Sequence, residues 1–65
     1  MLTERQTQIL HLIAQGKTDK EIASILQIAH STVKNTNSII YQRLGANNRA
    51  EAVYKIYTKG ENNEN

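Results

Sequence analysis

No cysteine occurs in these 65 residues, so disulfide staples and thiolate metal sites are both excluded. Proline is absent too, and helices can run until another signal stops them. Only three glycines are present, Gly16, Gly45 and Gly60. Each follows a stretch of helical periodicity and is expected to stop it, so none belongs to a phosphate-cradling loop. No apolar run nears the roughly 18 residues of a membrane span. Residues 1–6 lack the basic region and apolar stretch of a signal peptide, and a cytoplasmic location is the default. So short a chain makes one domain at most and buries only about 60% of its unfolded surface. Oligomerisation is the staple that remains.

Candidate chemistries are equally few. His11 and His30 are the only imidazoles, and with no cysteine and few carboxylates to join them, a site of three or four convergent metal ligands has little support. Ser31, Ser38 and the threonines have no adjacent base with an orienting acid, so nucleophilic catalysis has no support. The chain reads as a non-enzyme that needs no cofactor. Its net charge of +2 falls entirely within residues 1–45, while residues 46–65 balance to zero. That bias permits phosphate binding without proving it.

Periodicity and capping signals predict an all-α chain of four helices. Thr3 with Gln6 forms a capping box ahead of Ile9, Leu10, Ile13 and Ala14, giving a first helix over about 4–15. Thr18 with Glu21 opens a second over 19–26, with Ile22, Ala23, Ile25 and Leu26 as its buried side. Residues 27–29 make a turn anchored by Ile28. A third helix runs over 30–44, and Asn48 with Glu51 opens a fourth over 49–59. Domain and helices together occupy 1–59, and the aperiodic polar stretch 60–65 reads as a disordered tail.

The segment 18–34 has the plan of a helix-turn-helix, whose second helix enters the DNA major groove. Helical geometry places successive residues about 100° apart. With Val33 at zero, Ile40 and Leu44 fall within roughly 20° of it, while Asn37 lies near 40°, at the edge of this buried stripe. Ser31, Asn35, Ser38 and Gln42 fall between roughly 140° and 200°, with Lys34 near 100°. Asn and Gln can pair bidentately with adenine, Lys can reach guanine, and Ser can meet a base or a phosphate. A face built only for water favours Glu, Lys and Arg with i,i+4 pairing. This one has no acidic residue from Ala29 to Ala50 and uses Asn, Ser and Thr, which are mediocre helix formers. Such residues suit contact with a partner.

The motifs resemble those of the LuxR-type helix-turn-helix domain of bacterial transcription regulators. Its opening matches Leu2-Thr3-Glu4-Arg5-Gln6, and the end of its first helix matches Ala14-Gln15-Gly16. Asp19-Lys20-Glu21-Ile22-Ala23, Thr32-Val33-Lys34 and Arg43-Leu44-Gly45 follow in register, then Asn48-Arg49-Ala50-Glu51-Ala52-Val53. The likeness runs without gaps from residue 2 to about 57.

It implies that Lys34, Asn35 and Ser38 contact base edges, the three residues that the helical wheel also selects. It further implies that Thr18, Lys20, Ser31, Thr32 and Arg43 lie near the phosphate backbone. A weak homodimer through the fourth helix is implied as well, reading double-stranded promoter DNA at a dyad-related site. Ala50, Tyr54 and Tyr57 are the expected interface, because Ala52, Val53 and Ile56 already supply a core-facing stripe. Four positions depart from the pattern: Gln6 replaces an acidic residue, Ala29 a capping serine, and Thr36 a histidine, while Asn37 borders the buried stripe. The rival reading is a protein-interaction module of the same fold that binds another regulator or RNA polymerase.

Overall fold

Threonine hydroxyls start the first two helices in the computed structural model, which describes residues 1–62 and their side chains as far as Tyr57. At the head of α1 (Glu4–Ala14), Thr3 Oγ1 accepts the Gln6 N–H at 3.1 Å and Gln6 Oε1 accepts the Thr3 N–H at 2.9 Å. The amide therefore completes the box without a charge. Gln15, expected inside the helix, is its C-cap, and Gly16 follows at φ +88°. That left-handed step lets the Lys17 N–H return to the Leu12 carbonyl at 3.1 Å, the closing bond of a Schellman turn.

α2 (Asp19–Leu26) carries the same box, between Thr18 and Glu21. It ends at Gln27, whose φ of 57° is left-handed without being glycine. The Ile28 N–H then bonds the Ala23 carbonyl at 3.0 Å and carries the chain into the turn. α3 (His30–Leu44) starts at Ala29 with no side-chain cap and stops at Gly45, φ 71°. At the head of α4 (Arg49–Asn62), Asn48 Oδ1 accepts the Glu51 N–H at 2.9 Å. Glu51 Oε1 reaches the N–H of Asn47, one residue short of the reciprocal bond expected. α4 also passes through Gly60, the expected stop, to Asn62. A glycine inside a helix costs about 1 kcal/mol relative to alanine and does not forbid the α conformation. The tail expected over 60–65 thus begins within α4, and 63–65 lie outside the described residues.

The core gathers Ile9, Leu10 and Ile13 of α1, Ile22 and Ala23 of α2, and Val33 and Ile40 of α3. Ile28, Leu44, Val53 and Ile56 pack around it. Ile25, expected on the buried side of α2, is instead 52% exposed. The buried stripe of α2 centres between Ile22, Leu26 and Ala23, and Ile25 falls roughly 100° from that centre. α3 touches each of the other three helices, so the helix with the weakest cap is held by packing. Among the described residues, no helix is long and apolar enough to cross a membrane.

Candidate nucleic-acid interface

Packing on one side of α3 decides what faces outward on the other. Val33 and Ile40 are fully buried, and their stripe leaves Ser31, Lys34, Asn35, Ser38 and Gln42 exposed. Among the described residues, no hydrogen bond occupies the side chains of Lys34 or Asn35. Ser38 Oγ donates to the Lys34 carbonyl at 3.4 Å, a long bond that is easily exchanged for another. Lys34, Asn35 and Ser38 therefore share one accessible face.

The residues expected near phosphates are exposed too, and they flank that face. Thr18 Oγ1 accepts the Glu21 N–H at 3.1 Å as part of the α2 cap. Thr18, Asp19 and Lys20 line a cleft with Gly16, His30 and Arg49, where the starts of α2, α3 and α4 meet. Ser31 and Thr32 stand in the uncapped first turn of α3. Arg43, on the last turn, donates from Nη1 to the Met1 carbonyl at 2.6 Å, so its guanidinium lies beside the start of the chain. The cap bonds that Glu21 accepts, from the Thr18 backbone and then the Thr18 hydroxyl, hold its carboxyl below the ordinary value of 4.5. Those bonds favour the ionised form.

One polar junction explains how α3 is set in place, and the sequence hinted at only part of it. Asn37 is 6% exposed, and its Nδ2 donates to Asp19 Oδ1 at 2.8 Å. The same carboxylate oxygen pairs with Arg49 Nη1 at 3.6 Å. Arg49 Nη2 donates in turn to the carbonyls of Lys17 and Ile13, the latter at 3.4 Å. This chain of bonds ties the middle of α3 to the starts of α2 and α4 and to the end of α1. The edge position of Asn37 on the wheel signalled that it needed a partner. Nothing in the spacing named Asp19, because the pairing depends on how α2 crosses α3. Asn37 Oδ1 has no partner. Burial also pushes the neighbouring Tyr41 phenol up.

Tyr54 and Tyr57 are 67% and 60% exposed on α4, and Ala50 is exposed with them. Ala52, on the other side of the helix, is fully buried, with Val53 and Ile56 packed against the core.

Comparison with known proteins identifies the family of the fold. The family model of bacterial regulatory proteins, luxR family, matches residues 1–56. The spore germination protein GerE of Bacillus subtilis is 43% identical over 61 residues, which is 94% of this chain and 82% of GerE. The transcriptional regulatory protein DesR of the same organism is 44% identical over 59 residues. That match covers 91% of this chain but spans only 30% of DesR. The HTH-type transcriptional regulator MalT of Yersinia pestis is 42% identical over 52 residues, covering 80% of this chain and 6% of MalT. The chain belongs to the luxR family of bacterial regulatory proteins, and its fold is the helix-turn-helix domain of DNA-binding transcription regulators.

Proposed function

We propose that this chain regulates transcription by binding promoter duplex in a sequence-specific way, with α3 laid in the major groove. The observation that carries the reading is the outward face of α3: small, hydrogen-bonding, bearing one cation, and backed by a fully buried stripe. Lys34, Asn35 and Ser38 contact base edges, while Thr18, Lys20, Ser31, Thr32 and Arg43 engage phosphates on either flank. The protein acts in the cytoplasm and performs no catalysis. Steep salt dependence tests this, because each neutralised phosphate releases counterions and contributes a slope of about −0.9 in log K against log salt. Duplex binding with a slope of about −4 or steeper supports the reading. Salt-insensitive binding, or none, leaves the same fold as a docking module for another regulator or RNA polymerase.

The functional unit is a weak homodimer through Ala50, Tyr54 and Tyr57, which are exposed on the side of α4 away from the core. A contact along one helix is self-complementary about a two-fold axis. Its area falls below the roughly 1,200 Å² of standard stable interfaces, so DNA supplies the remaining affinity by holding two half-sites at fixed spacing. Tyr54→Glu combined with Tyr57→Glu is expected to leave the fold intact and abolish cooperative binding to a two-half-site duplex. Cooperative binding that survives the pair would move the dimer surface elsewhere.

A further inference from the structure

Ile39 is 40% exposed, and it is the one large apolar side chain of α3 among the described residues that the fold leaves so open. It interrupts an exposed surface otherwise made of polar and charged side chains. Isoleucine is also a poorer helix former than the Lys, Glu or Gln that suit a solvated face. Its place in the helix is specific. Ser31, Asn35, Ile39 and Arg43 succeed one another at four-residue spacing and form one ridge along α3. Ile39 therefore stands about 6 Å along the axis from Asn35 and as far again from Arg43. The first neighbour is a proposed base reader, and the second lies on the phosphate flank.

We infer that Ile39 is a specificity residue that packs on a thymine 5-methyl group at the edge of the major groove. This rests on the DNA-reading role proposed above. An A·T pair displays the adenine N7 and N6 groups on one side of its major-groove edge and the thymine methyl on the other. An asparagine that takes the adenine, with an isoleucine one turn further along the same ridge, covers both halves of that signature. The two residues then make two contacts to the A·T pair where Asn35 alone makes one. The methyl is the apolar feature of that groove edge, and covering it removes from water a side chain that the fold leaves exposed. Water or a phosphate would gain nothing from isoleucine at this position.

The test alters the DNA and leaves the protein whole. A preferred duplex is selected from a random library with the 65-residue chain, and each thymine is then replaced singly by deoxyuridine, which lacks only the methyl. One thymine in each half-site should be sensitive. Its replacement should weaken binding about three- to five-fold, the equivalent of one buried methyl. Ile39→Ala should bind the thymine and uracil duplexes equally while melting like the parent. If every single replacement leaves the affinity of the parent unchanged, or if Ile39→Ala keeps the full sensitivity, the inference is overturned and the DNA-reading role stands. If selection yields no duplex bound better than random sequence, the DNA-reading role falls and this inference falls with it.

Discussion

The two helices of the helix-turn-helix are started in opposite ways. α2 is fixed by its own sequence: the Thr18 hydroxyl and the Glu21 carboxylate close a reciprocal box at 3.1 and 2.8 Å. α3 has no such device, because Ala29 offers no side-chain acceptor. It is held from behind instead, by Val33 and Ile40 in the core and by Asn37 on Asp19. The contrast separates two jobs. A helix secured by its neighbours does not need good helix formers on its outer face, so that face can carry Ser, Asn and Thr for contact. Local sequence stabilises α2, and tertiary packing stabilises α3.

Removing the tie between the two helices should have the largest effect. Asp19→Ala leaves a buried Asn37 amide without its acceptor, at a cost of about 1–3 kcal/mol. A denaturant melt measures it, and a loss below about 0.5 kcal/mol would mean that apolar packing alone seats α3. Asn37→Leu should cost less, since it removes the amide together with its unpartnered Oδ1.

Giving α3 a cap should narrow the difference from the other side. Ala29→Ser supplies an acceptor at the N-cap position and is expected to stabilise the fold by about 0.5–2 kcal/mol. A variant no more stable than the parent would show that this helix start is satisfied without a side chain.

The smallest effect concerns the charge on the α2 cap. The folded form holds the Glu21 carboxyl below 4.5, so its contribution is fully present above that ordinary value. It disappears as the pH falls through the lowered folded value. Glu21→Gln keeps an acceptor but does not titrate, so its melting temperature should fall less than that of the parent on acidification. Identical acid profiles would show that the carboxylate charge adds nothing to the cap.

The same contrast explains what the sequence revealed. Capping boxes, the glycine stops at 16 and 45, and the Val33–Ile40 stripe are signals written within a few residues of one another, and they place all four helices. The exposed set on α3 follows from the same arithmetic. Asp19 as the partner of Asn37, Arg49 on the Ile13 carbonyl of α1, and Arg43 beside Met1 join residues 18 to 42 positions apart. Local periodicity carries no record of such pairs. Ile25 misled for a related reason: an isoleucine at helical spacing resembles core until the neighbouring helices fix which side of α2 is covered.

The central claim is that α3 reads bases while the start of α2 holds the backbone. It is tested most directly by comparing Lys34→Ala with Lys20→Ala on a selected duplex and on random duplex at one salt concentration. Lys34→Ala should lose about 1–3 kcal/mol on the selected duplex and little on random DNA, whereas Lys20→Ala should weaken both alike. Equal losses on both duplexes for both variants would contradict the account.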